Sequence, residues 1–142
     1  MIYKLLETDY DYFTFFLRII GGAMILPYGL QKLFAWGIKT SLEQVTVKKI
    51  PVFIAWLVII GQSLGAIALI AGFLGRVAAT GNFIIFTGAM ITHFHDGWFI
   101  NWFGKKRGEG IEYFIPLLAI LLVIVIRGSG AVSIDWYLSN RR

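Results

Sequence analysis

The segment His93–Tyr113 reads His-Phe-His-Asp-Gly-Trp-Phe-Ile-Asn-Trp-Phe-Gly-Lys-Lys-Arg-Gly-Glu-Gly-Ile-Glu-Tyr, and it holds both histidines and two of the five tryptophans of the chain. Imidazole and carboxylate groups take up and release protons. Trp98, Phe99, Trp102 and Phe103 are able to wall a flat apolar ligand. His93, Asn101 and Glu112 can offer such a ligand directional hydrogen bonds, and Tyr113 follows directly. The same residues also make an interfacial girdle whose polar groups bond one another. From residue types alone, both readings stand.

Three further polar residues lie inside apolar runs: Arg18, Gln62 and Asn82. Polar groups in lipid are costly, so each is expected to face inward, towards a bonding partner or a ligand. Metal chemistry is not expected. His93 and His95 are two residues apart and would diverge on a helix, no recognised ligand spacing joins Asp96, Glu109 or Glu112 to them, and there are no cysteines. Gly108-Glu109-Gly110 lacks the flanking strand, helix and third glycine of a phosphate loop.

The elements that must hold these residues are long and apolar. Of 142 residues, 58% are hydrophobic and 15% charged, and mean hydropathy is +0.75. A soluble domain this small needs more polar surface, so lipid is the solvent that suits the chain. The pattern predicts an all-α integral membrane protein, a four-helix antiparallel bundle forming one domain over residues 1–142. Its helices are expected at about 12–36, 51–74, 77–94 and 111–127, with the last near the lower length limit for a span.

In the first helix, Arg18, Gly22, Ile25, Gly29, Lys32 and Trp36 share a stripe at helical spacing, and Pro27 should break the bond to Ala23. Residues 37–50 are too short and charged to cross, and are expected to lie along the surface. Pro51 should open the second helix, in which Gly61 and Gly65 form a close-packing pair and Gln62, Ala66, Leu69 and Phe73 align. Gly75-Arg76 is read as a tight turn. Asn82, Phe86, Ala89 and His93 form the inward stripe of the third helix. Beyond Gly128-Ser129-Gly130, residues 133–142 read as a polar tail. Helix ends joined by a short loop should bring His93 near Glu112, beneath a roof of tryptophans.

The net charge of +5 is scattered near the ends of apolar runs, which suits anionic headgroups better than nucleic acid. Four crossings put both termini on one side. Lys4, Arg18, Arg76, Arg127, Arg141 and Arg142 then face Lys32, Lys39, Lys48, Lys49, Lys105, Lys106 and Arg107, and that near-balance leaves orientation open. The acidic start, Glu7, Asp9 and Asp11 against Lys4, is the wrong charge for a cleaved signal peptide.

Three stretches resemble the DoxX family. One is Leu17-Arg18-Ile-Ile-Gly-Gly with Tyr28-Gly29-Leu-Gln-Lys32-Leu-Phe; another runs from Gly61-Gln62 through Gly72-Phe-Leu-Gly-Arg76-Val-Ala-Ala. The third joins His93, Asp96-Gly97-Trp98-Phe99-Ile100-Asn101-Trp102, Gly108-Glu109-Gly110-Ile-Glu112-Tyr113 and Gly130-Ala-Val-Ser133-Ile-Asp135. The resemblance implies a multi-pass protein of the bacterial inner membrane. It also implies association with membrane oxidoreductases, including the similar DoxD subunit of thiosulfate oxidation with quinone as acceptor. Gln62 stands where members often carry Glu, and Tyr28 where His is frequent, which argues against a proton relay at those two positions.

A quinone headgroup suits the candidate site: planar, with carbonyl acceptors, and able to approach sideways through the membrane. The chain has no intrinsic cofactor on this reading, and any redox centre belongs to the ligand or to a soluble or membrane redox partner protein. Its own catalysis is left open, as is homo-oligomerisation. The alternative is a non-enzymatic membrane module for assembly or small-molecule binding. Candidate ligand contacts are Arg18, Gln62, Asn82, His93, Trp98, Asn101, Trp102, Glu112 and Tyr113.

Overall fold

The computed structural model describes residues 2–47, 49–105 and 110–141, and among these every regular element is helical. Lys48, Lys106, Arg107 and Arg142 of the charge balance, and the Gly108-Glu109 pair, lie outside the described residues. A short helix α1, Ile2–Leu6, precedes α2, Tyr12–Leu30. Asp11 starts α2 by accepting hydrogen bonds from the N–H groups of Phe13 (3.0 Å) and Thr14 (3.1 Å), two of the donors a helix start leaves unpaired. Pro27 sits inside α2, and the helix runs on through a π-helical turn, Gln31–Ala35. The buried positions of α2 include Arg18, Gly22, Ile25 and Gly29, most of the expected inward stripe.

The polar connection is itself a helix, α3, Gly37–Val47. Ser41 pins it down by donating to the Lys32 carbonyl at 2.8 Å. The second apolar stretch comprises α4, Val52–Ile60, a π-helical turn, Gly61–Gly65, and α5, Ala66–Ala71. It stops earlier than expected because Gly72 takes a left-handed conformation (φ 68°) that ends the helix. The reversal therefore occupies Gly72, Phe73 and Leu74, and Gly75, expected in the turn, begins α6, Gly75–His93. A 3₁₀ turn, Phe94–Asp96, extends α6. Another, Ile111–Tyr113, leads into α7, Phe114–Arg127. The expected tail instead contains α8, Ile134–Ser139, capped by the Ser133 hydroxyl accepting from Trp136 N–H at 3.1 Å.

Among the described residues, three stretches are long and apolar enough to cross a membrane: Tyr12–Ala35, Val52–Ala71 and Gly75–Asp96. At 14 residues, α7 alone covers only about 21 Å of a layer about 30 Å thick. It packs against α6 and α2, while α2 also packs on α5, and α6 on the π-turn Gly61–Gly65. Ile25, Ala66, Leu69, Ala79, Phe86, Leu117, Leu121 and Ile124 make up the core between them. No more than a third of each candidate span is buried, and Phe13, Phe16, Leu57, Ile84 and Ile91 point outward. Water would penalise so much apolar surface, whereas lipid does not.

Glycines set how closely the helices approach. A methyl group at Gly29 would collide with the Gln62 backbone, and one at Gly22 would press on the Ala66 carbonyl. Gly61 and Gly65 likewise leave room for Ile85 and Asn82 of α6. Small residues thus bring α2 and α6 close against the second π-turn.

Candidate functional site

Where the π-turns meet, a cavity of about 190 Å³ opens between α2, α6 and the start of α7. Its polar border is Tyr28, Lys32, Gln62, His93 and Tyr113; Phe86, Ala89, Ile100, Gly110 and Phe114 supply the rest. Lys32 Nζ donates to Gln62 Oε1 at 2.6 Å, joining one π-turn to the other. Such turns re-aim side chains within a helix and recur at functional sites. The ammonium group has three donors, so one bond to Gln62 leaves capacity for a ligand.

The ring of His93 stacks on Phe114, with centroids 6.0 Å apart. Its Nδ1 lies 2.7 Å from Asp96 Oδ2, on the 3₁₀ turn that ends α6. A carboxylate acceptor places the ring proton on Nδ1, so a ligand in the cavity would meet Nε2. Tyr113 hydroxyl donates to the Met24 carbonyl at 3.1 Å, and its ring lies 5.7 Å from that of Tyr28. Tyr28 in turn packs edge-on to Phe86 at 6.5 Å.

The expected roof takes another form. Ile111 N–H donates to the Gly97 carbonyl (3.1 Å) and Glu112 N–H to that of Trp98 (2.9 Å), drawing the two sides of the loop together. Ile100 and Gly110 thereby close the cavity, whereas Trp98 and Trp102 project outward, the latter 77% exposed. Glu112 accepts from Ile100 N–H at 3.4 Å, steadying the loop. The histidine's carboxylate partner is Asp96, reached within one helical turn, rather than Glu112 across the loop. Asn101, half-buried on the same loop, does not border the cavity.

Arg18 and Asn82 lie apart from the cavity as well. Arg18 is fully buried at the opposite end of the molecule. Its guanidinium donates to the carbonyls of Leu69 (2.9 Å) and Ile70 at the end of α5, and to those of Ala131 (3.4 Å) and Val132 (3.0 Å). Positive charge is well placed at a helix C-terminus. Beside it, buried Asp135 accepts from Leu74 N–H (2.7 Å), Gly75 N–H (2.9 Å) and Ser129 hydroxyl (2.5 Å), capping the start of α6. Asn82 donates to the Gly61 carbonyl (2.9 Å), bonding α6 to the second π-turn, and to that of Ala78 (3.1 Å).

Of the nine candidate contacts, the structure brings Gln62, His93 and Tyr113 to the cavity. Residue types did not single out Tyr28, Lys32 or Phe86 as cavity groups. Lys32 was detectable as the one charged residue besides Arg18 on the inward stripe of the first apolar stretch, and Phe86 lies one turn before Ala89 on the stripe leading to His93. Among the described residues, no three histidine, cysteine or acidic side chains converge in a way that could hold a metal ion.

The profile of the DoxX family matches residues 13–96, from the start of α2 to the Asp96 that bonds His93. The match covers more than half of the chain, which therefore belongs to the DoxX family of membrane proteins. Comparison with curated proteins and with solved structures gives no match.

Proposed function

We propose that this DoxX-family protein is a membrane subunit associated with an oxidoreductase system, and that its cavity holds a quinone-like headgroup. The observation that carries the reading is that the Lys32–Gln62 pair and His93 border one largely apolar cavity. Lys32 donates to one oxygen of the ring, His93 Nε2 accepts from the hydroxyl that the reduced, quinol form carries across the ring, and Phe86 and Phe114 flank it. The volume, about 190 Å³, suits one ring rather than the roughly 300–1,000 Å³ of pockets for larger ligands. The chain binds and orients the ligand; the ligand and a redox partner protein carry the electrons.

In the same proposal α7, lengthened by its 3₁₀ turn, makes a fourth crossing antiparallel to α6. Both termini then lie on one side of a bacterial inner membrane, which agrees with the 2.7 Å bond from Gly130 N–H to Thr8 Oγ1. Because the chain lacks cysteine, Lys4→Cys, Lys105→Cys and Ser139→Cys give clean labelling sites. Lys4→Cys and Ser139→Cys should react from one side and Lys105→Cys from the other. Labelling of Lys4→Cys and Ser139→Cys from opposite sides excludes the fourth crossing.

The functional test is extraction of lipids from the purified protein, with bound quinone quantified. The wild type should retain quinone. Lys32→Met should weaken retention about 10- to 100-fold, the worth of a hydrogen bond from a charged donor. Absence of quinone from the wild-type extract removes this reading. The second reading, a membrane assembly or small-molecule-binding module without redox chemistry, draws on the direct bond that already joins Lys32 to Gln62.

A further inference from the structure

The hydrogen-bonding role of His93 at the cavity is fixed by a residue outside it. The imidazole ring is held twice: face-on to Phe114, with centroids 6.0 Å apart and planes 19° from parallel, and by the 2.7 Å contact from Nδ1 to Asp96 Oδ2. His93 borders the cavity and Asp96 does not. An ionised carboxylate only accepts, so the proton of the neutral imidazole sits on Nδ1, and Nε2 keeps its lone pair. The other nitrogen groups at the cavity do the reverse. Lys32 Nζ only donates, and Gln62 has its Oε1 engaged by that ammonium, which leaves the amide N–H groups as donors. Tyr113 gives its hydroxyl proton to the Met24 carbonyl, and the Tyr28 hydroxyl can turn to either role.

We infer that Asp96, acting through His93, makes the cavity selective for the reduced form of its ligand, an aromatic ring with hydroxyl groups at opposite positions, over the oxidised quinone. The inference rests on the headgroup reading of the cavity. A quinone has two carbonyl oxygens, which only accept. One suits Lys32, and the other meets the Nε2 lone pair with no proton between them. The quinol carries a hydroxyl at each of those places, so one oxygen still accepts from Lys32 while the other hydroxyl donates to Nε2. An acceptor shut away from water without a donor weakens binding roughly tenfold, and only the quinone leaves one. The couple bound to the protein then sits about 30 mV above the free couple, the equivalent of tenfold for two electrons. Asp96 is a positioning residue in this scheme: it touches the imidazole, not the ligand, and holds the tautomer that makes the choice. Its place suits that part. Asp96 lies on the 3₁₀ turn after α6 and is partly exposed, so water solvates the carboxylate on the side away from the ring.

The test uses the full chain in lipid nanodiscs at about pH 8, above the range in which imidazole ordinarily titrates. The probe is a dimethoxy-methyl-benzoquinone, supplied in its oxidised form and, without oxygen, as its quinol. Affinities are compared at equal mole fraction in the bilayer, so that partitioning cancels. The wild type should bind the quinol about tenfold tighter than the quinone. Asp96→Ala frees the ring to carry its proton on either nitrogen, so the ratio should fall to about one. Equal wild-type affinities, or a preference for the quinone, overturn the inference and leave the headgroup reading intact; binding of neither form overturns both. A tenfold ratio kept in Asp96→Ala, even with both affinities lowered, means a merely structural part for Asp96 and likewise overturns the inference. A measurement without ligand reads the tautomer directly. His95 is exposed and is the only other histidine, so His95→Gln leaves one imidazole in the nitrogen NMR spectrum. That spectrum should show Nδ1 protonated and Nε2 bare. A proton on Nε2, alone or together with one on Nδ1, overturns the inference.

Discussion

The two ends of the bundle both bury charge inside a membrane protein, and they do so in opposite ways. At the terminal end, Arg18 and Asp135 are surrounded by backbone groups from three parts of the chain, and each bond closes a helix end or a turn. Close packing follows, since even a methyl group at Gly72 would strike Ser133 and the Arg18 guanidinium. At the loop end, Lys32, Gln62 and His93 border empty volume, and each is bonded to a single neighbouring side chain. Buried polar groups in lipid are therefore no sign of a binding site by themselves. What distinguishes the proposed site is spare hydrogen-bonding capacity beside space.

That contrast is easiest to break at Arg18. Arg18→Met leaves the carbonyls at the end of α5 and around Val132 without donors, and leaves Asp135 without its neighbouring positive charge. The expected cost is about 3–5 kcal/mol in detergent unfolding, the range for removing one partner of a buried charged network. Quinone retention should fall only in proportion to the folded fraction. Selective loss of retention at unchanged stability would place Arg18 in the ligand site and end the distinction.

Gly29→Val tests the junction of the two π-turns. The added side chain runs into the Gln62 backbone, so α2 and the second π-turn must separate, at about 1–3 kcal/mol. Here both stability and retention should drop, because the same contact holds Lys32 against Gln62. Gln62→Leu sharpens the contrast from within the cavity. Loss of an interhelical polar bond costs about 0.5–2 kcal/mol, and retention should fall further than stability does. A variant neutral in both measurements would remove Gln62 from either role.

The smallest effect concerns pH at the terminal end. The Thr14 hydroxyl, followed by the N–H groups of Thr14 and Phe13 and by Arg127, holds the Asp11 carboxyl below its ordinary value of 3.8. A lowered folded value means that this stabilisation is complete above pH 3.8 and is lost as pH falls through the folded value. Melting curves of the wild type should therefore shift down in acid below that point, and Asp11→Asn should flatten the shift. Identical acid profiles would show that the Asp11 cap does not contribute.

The sequence alone determined the solvent, the helical class and the inward faces. Hydropathy and helical period are local properties, and a side chain that lipid rejects must turn inward whatever its partner. Hence the stripes of Arg18 to Gly29, Gln62 to Leu69, and Asn82 with Phe86 emerged as buried. What the inward residues do was decided by tertiary structure. Arg18 meets carbonyls 51 and 114 residues away, and a carbonyl acceptor is the same on every residue, so no side-chain pattern announces it. Residues 133–142 read as polar tail because their composition is polar, yet Ser133 and Asp135 are buried by what they bond. The cavity is likewise a property of packing: α2 and the second π-turn, brought close by the absence of a Cβ at Gly29, leave Lys32 and His93 bordering space that no single stretch of chain encodes.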